Sequence, residues 1–287
     1  MENHLQCYLD SRKRFLSPNY FRDSAAVLYA WARESGLNGS PVSADQLEAW
    51  TQKKLNSVKI STVAAYLFSI RQYLDWCVAQ GLRTDNPALL IKLPPYHKPF
   101  RKVFVSMPTV KMLISGCLDL ELRYCLYCGF HAGLRFGEVV ASRPGWFYLE
   151  ERLLQVTRAI DFDTKDHDDR AVPLTEEFYR FLKAYGLRSP FMIAPHKKHG
   201  RRHRYRFDFS CRFENYVRSK NVFMTFHDCR RTFASLHAAA GTSLLKIARW
   251  LGDDYETVER HYTHLTPADP EVNRAFVTNY NASFRQR

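Results

Sequence analysis

The sequence predicts a mainly α fold with a small antiparallel β-sheet, an α+β chain divided into a helical domain and a mixed one. Apolar residues recur at three- and four-residue spacing through most of the chain, and strand-like runs are confined to residues 152–174. The 287 residues exceed the roughly 100–200 of a single domain. With 46% hydrophobic and 25% charged residues, the composition excludes a largely disordered or collagen-like chain.

Residues Ser61–Gln80 place Val63, Leu67, Ile70, Leu74 and Cys77 on one helical face, and Gly81 stops the pattern. Ser24–Glu34 and Ala44–Leu55 repeat it, the latter after Pro41 and Ser43, so the first third reads as helices without a strand. Leu93–Lys102, LPPYHKPFRK, combines prolines and basic residues with no acid, as suits an extended linker. This divides the chain into a helical domain (1–93), a basic linker (94–102) and a mixed domain (103–287). In the mixed domain Met107–Cys117 and Leu120–Phe130 read as helices. Strand patterns follow at Arg152–Thr157, Ala159–Thr164 and Arg170–Leu174, interrupted by the polar turn Lys165–Asp169. Helical patterns return at Thr175–Tyr185, Phe209–Val217, His227–Ala240 and Leu244–Leu251.

Lys and Arg total 42 against 29 Asp and Glu, a net charge of +13 that favours a polyanionic partner, nucleic acid first. His196–Arg206, HKKHGRRHRYR, reads as a phosphate-contacting loop, and Lys53, Lys54, Lys59 and Arg71 are candidate backbone contacts in the first domain. The longest apolar run, Ala25–Ala32, falls far short of the ~20 residues that cross a bilayer. Met1–Arg14 has no apolar signal core, so a cytoplasmic protein without a membrane partner is expected, nucleoid-associated when bound to DNA. The odd set of seven cysteines fits reduced thiols, and Cys125-x-x-Cys128 sits in the apolar run Leu122–Phe130, as a core helix would have it. Asp161–Asp169 lacks the Gly and final Glu of a calcium loop, and no phosphate-binding loop occurs, so no cofactor and no metal are expected.

Thr225 followed by Asp228 reads as a capping box, which starts a helix near His227 and puts His227 and Arg230 on one face. Two such side chains beside a helix N-terminus suit a small anion. His227-Asp228-Cys229-Arg230-Arg231-Thr232-Phe233-Ala234-Ser235 and Leu251-Gly252 through Tyr262-Thr263-His264 together resemble the tyrosine recombinase, or phage integrase, family. Ala132-Gly133-Leu134-Arg135-Phe136-Gly137-Glu138-Val139 is similar to the family's first arginine block, and Thr164-Lys165 with Arg170-Ala171-Val172-Pro173-Leu174 to its lysine hairpin.

The resemblance implies a helical core-binding domain, a mixed catalytic domain and a site of Arg135, Lys165, His227, Arg230 and the nucleophile Tyr262, with Glu138 in support. Asp253 stands where the family carries His or Trp. A carboxylate cannot donate to phosphate, so Asp253 is expected to point away, orienting Tyr262 or a neighbouring residue, or to be protonated, with His261 or His264 as substitute donors. The implied reaction cuts and rejoins DNA through a 3′-phosphotyrosine link, for integration or excision of a mobile element. Arginines stabilise the transition-state charge, His227 takes the phenol proton and Lys165 protonates the 5′ oxygen. The implied partners are double-stranded DNA with inverted half-sites and a homotetramer on synapsed DNA, with the tail Ala268–Arg287 docking on a neighbour and accessory DNA-bending proteins alongside. A type IB topoisomerase-like enzyme and a non-catalytic helix-turn-helix DNA-binding protein remain as alternatives.

Overall fold

A computed structural model describes residues 2–35, 42–96, 104–159, 162, 164, 168–193, 196–198, 201–203 and 206–266. The expected linker from residue 97, Lys165 and the tail lie outside these residues. The chain forms two compact units, Met1–Arg101 and Lys102–Arg287. Among the described residues no helix is long and apolar enough to cross a membrane.

The first unit holds α1 (Glu2–Arg12), α2 (Pro18–Glu34), α3 (Ala44–Leu55) and α4 (Ile60–Ala79). The α4 face read from the sequence, Val63, Leu67, Ile70, Leu74 and Cys77, is buried together with Leu28, Trp31 and Leu47. Helix α1 goes beyond the sequence reading, although Leu5, Tyr8 and Leu9 stand at the spacing of one helical face and are buried. A reciprocal cap starts α3: the Gln46 N–H donates to Ser43 Oγ at 3.2 Å and the Ser43 N–H to Gln46 Oε1 at 3.0 Å. Arg71 directs Nε and Nη2 to the carbonyls of Ala88 and Ile91, both at 2.9 Å, and Lys54 pairs with Glu34 at 2.8 Å. These two basic residues fasten the unit itself, a use that counting exposed cations could not reveal.

The second unit begins with α5 (Met107–Ser115), α6 (Leu120–Ala132) and α7 (Phe136–Ala141). Its sheet is β1 (Phe147–Tyr148), β2 (Leu153–Val156) and β3 (Arg170–Pro173), antiparallel in that order. Then come α8 (Glu176–Tyr185), the hairpin of β4 (His196–Lys198) and β5 (Arg201–His203), α9 (Arg206–Ser219), α10 (Phe226–Ala239), α11 (Leu244–Leu251) and α12 (Tyr255–Tyr262). Cys125 and Cys128 lie fully inside the core on α6, and burial pushes both thiols up, so they are packing residues.

Register sets up the site. Leu154 pairs with Val172 and Val156 with Arg170, so Arg170 shares a buried sheet face with three apolar side chains.

Two expectations are corrected. Ala159 and Phe162 do not continue the sheet: they form an isolated antiparallel bridge, N–H to carbonyl, at 2.7 and 3.0 Å, and residues 160, 161 and 163 of the expected strand lie outside the described residues. The stretch read as a loop at His196–Arg206 contains the β4–β5 pair, His196 opposite His203 and Lys198 opposite Arg201. Charge density suggested a loop there, but backbone pairing does not depend on apolar side chains.

Candidate active site

Two left-handed glycines shape the site. Between α6 and α7 the chain turns at Gly133, φ +62°, and a Cβ there would stand 2.7 Å from Phe233 Cδ1 and 2.8 Å from Leu251 Cδ2. Only glycine meets both the dihedral and the close approach. Gly252, φ +61°, ends α11 in the same way, with Arg170 Cδ 3.0 Å from the place of a Cβ. The first turn releases Arg135 at the N-cap of α7, and the second releases Asp253 ahead of α12.

The capping box read at Thr225 is present: Asp228, fully buried, accepts from the Thr225 N–H and hydroxyl, both at 2.8 Å, and from Arg231 Nη1 at 3.0 Å. It starts α10 at Phe226 and places Arg230 on the inward face, only 3% exposed. Arg230 donates through Nη1 to the Gly133 carbonyl and through Nη2 to the Leu251 carbonyl and Asp253 Oδ2, each at 2.7 Å. Arg135 Nη2 donates to the Gly252 carbonyl at 2.6 Å and to Asp253 Oδ1 at 2.5 Å. Residues 135 and 230, remote in sequence, therefore meet on one carboxylate.

Glu138 supports both sides of this frame from inside the protein. It is 2% exposed and accepts from the Arg135 N–H at 2.7 Å, Arg135 Nη1 at 3.3 Å, and Arg170 Nη1 and Nη2 at 2.8 and 2.6 Å. Burial works to raise its carboxyl, but the Arg170 hydrogen bonds and the Arg170 and Arg230 charges hold it below the usual range. Arg170 also donates through Nε to the Trp250 carbonyl at 2.9 Å, tying β3 to α11. In the sequence Arg170 stands within the lysine-hairpin motif, with nothing nearby to mark its partner Glu138. The available signal was an arginine in phase with the apolar positions of a strand.

Asp253 differs from its expectation. It neither points away nor is protonated, because one oxygen faces each arginine. Burial opposes its charge, yet the Arg230 and Arg135 guanidiniums hold its carboxyl below the usual range. His227 stands one turn before Arg230 on α10 and keeps an exposed edge. Desolvation, then the charges of Arg231 and Arg230, lower its pKa, so its imidazole is neutral and able to accept a proton near pH 7. Tyr262 ends α12 and is half-buried. Burial raises its phenol, Arg230 draws it down and Asp253 raises it, which makes it a neutral phenol at rest. His261 is partly buried and lowered by that burial and by Arg231, whereas His264 is exposed. A cleft of about 550 Å³ opens beside the arginine pair, lined by Arg135, Arg170, Arg249, Trp250, Asp253 and Tyr255 among others.

These shifts set the acid response of the fold. Burial lowers His131, His227, His237 and His261, so the unfolded chain gains protons first as pH falls through about 6.5, and stability falls with it. Glu138 and Asp253 are also lowered, and the stability they contribute is lost below about pH 4. Melting followed by circular dichroism from pH 8 to 3 is expected to show a two-stage decline. A flat melting temperature from pH 8 to 5 would contradict the histidine part.

A sequence profile described as the phage integrase family matches residues 109–269. The chain is 26% identical over 259 residues to the tyrosine recombinase XerD of Rhizobium meliloti (strain 1021), covering 82% of this chain and 80% of that protein. Its fold is similar to that of the Tn1549 transposon integrase in complex with circular intermediate DNA, with a TM-score of 0.70 at 17% identity over 96% of this chain and 98% of that one. It is also similar to a lambda integrase dimer bound to a COC′ core site, with a TM-score of 0.70 at 13% identity over 91% of this chain and 76% of that one. The matched segment holds α10 with Arg230, the α6–α7 turn with Arg135 and the helix that ends at Tyr262, and the chain belongs to the phage integrase family of tyrosine recombinases.

Proposed function

We propose that this chain is a site-specific DNA recombinase that cuts and rejoins strands through a tyrosine–3′-phosphate bond, for integration or excision of a mobile element. The observation that carries it is the convergence of Arg135 and Arg230 on one anion, at 2.5 and 2.7 Å, on the segment that leads into the Tyr262 helix. A phosphodiester gains negative charge on its non-bridging oxygens as it is attacked, and two fixed guanidiniums offer that charge oriented donors.

In the proposed step the Tyr262 oxygen bonds to phosphorus as the bond to the 5′ oxygen breaks. The phenol proton passes to the neutral imidazole of His227. The departing 5′ oxygen takes its proton from Lys165, which the family resemblance assigns and which lies outside the described residues. Reversal on a different 5′ hydroxyl reseals the strand and conserves the bond energy, so no nucleotide triphosphate is consumed. Glu138 and Arg170 hold the frame.

The same reading makes the first unit a core-binding domain that clamps duplex DNA with the second across the basic linker. It also takes two protomers on inverted half-sites, a tetramer at synapsis and accessory DNA-bending proteins as its partners. One observation favours a second reading, DNA binding without chemistry: Asp253 already accepts from both arginines. Incubation with nicked suicide duplexes in EDTA without ATP separates the two. Wild type is expected to form an adduct that survives denaturation, and Tyr262→Phe to bind equally without one. Specific binding with no adduct from wild type favours the second reading.

A further inference from the structure

We propose that Asp253 is a built-in anion that occupies the donors of the prearranged Arg135–Arg230 pair in place of a phosphate, and that the DNA phosphate takes the site by displacing it. This rests on the reading of the arginine pair as the phosphate site. The contacts divide into fixed and exchangeable ones. Arg230 is held by the Gly133 and Leu251 carbonyls, and Arg135 by the Gly252 carbonyl and Glu138, so neither guanidinium depends on Asp253 for its place. Asp253 is anchored through its backbone, its N–H donating to the Ala248 carbonyl at 3.2 Å, and its side chain is 25% exposed. Rotation of that side chain alone empties the site.

The shared donors favour the exchange. Arg135, Arg170 and Arg230 face Glu138 and Asp253, three positive charges against two negative. A phosphate that joined Asp253 on the same pair would place two anions side by side in a half-buried cleft. Displacing Asp253 keeps the balance and restores to this site the cationic character that a His or Trp at the position leaves intact. Asp253 also stands in the connection between α11 and α12, so its release acts on the segment that carries Tyr262.

Inorganic phosphate is the probe, and binding is read by calorimetry without any chemical step. Asp253→Asn keeps the shape and removes the charge. It is expected to melt lower than wild type in phosphate-free buffer, and to bind phosphate about tenfold or more tightly, because the competing anion is gone. Asp253→Ser gives the same comparison if the asparagine variant does not fold. Adding Arg230→Lys to either variant is expected to abolish the gain, which places it at the arginine pair. Equal phosphate affinity of wild type and both variants overturns the proposal, since replacing a merely structural Asp253 lowers stability without raising affinity. Because the readout is binding, a wild type that never forms a Tyr262 adduct overturns the recombinase reading and leaves this exchange to be judged on its own result.

Discussion

Glu138→Gln is expected to destabilise the second unit by about 3–5 kcal/mol, because it breaks a buried ion pair and leaves the partner cation in place. Glu138 accepts four hydrogen bonds from Arg135 and Arg170, and the Arg170 side chain is only 7% exposed. Glutamine offers one oxygen, and its amide hydrogens face guanidinium donors, so at least one pair of donors loses its acceptor. The loss corresponds to a fall on the order of 10 °C in Tm for a unit of this size. Calorimetric melting checks it. A change of under about 1 kcal/mol, the range of surface ion pairs, would mean that Glu138 is not a keystone of the site.

Arg230→Lys is expected to lower the single-turnover rate of strand cleavage by about 10²–10³-fold while duplex affinity changes little. The substitution keeps the charge and removes the fork. Arg230 reaches the Gly133 and Leu251 carbonyls and Asp253 with two nitrogens in one plane, whereas an ammonium concentrates its donors on one atom. At 3% exposure the lysine also leaves a carbonyl without its donor. Cleavage of a suicide duplex, measured beside filter binding of the same duplex, separates rate from affinity. Equal losses in both would make Arg230 a binding residue with no special role in the transition state.

The sequence revealed local rules well and long-range partners poorly. The face of α4, the cap at Thr225 and Asp228, and the shared face of His227 and Arg230 follow from spacing within a few residues, which helix geometry fixes. The convergence of Arg135 with Arg230 was legible only through the family resemblance. No periodicity states that a carbonyl at Gly133 will receive a guanidinium 97 residues away. Arg170 was missed because its partner, Glu138, lies on another element. Repulsion from phosphate is evident from the type of residue 253, whereas its attraction to two arginines depends on contacts that only the fold creates. Of the strand expected at Ala159–Thr164, Ala159 and Phe162 bond each other instead of the sheet, a local pairing that alternation of side chains does not reveal.

The measurement that tests the central claim most directly is the location of the covalent bond. Wild-type protein is trapped on a nicked suicide duplex in EDTA, the adduct is digested with nuclease and protease, and the modified peptide is sequenced by mass spectrometry. The account predicts a nucleotide joined through its 3′ phosphate to the Tyr262 oxygen, and none in Tyr262→Phe. A bond to another residue, attachment through a 5′ phosphate, or a specifically bound duplex that never becomes attached would contradict it.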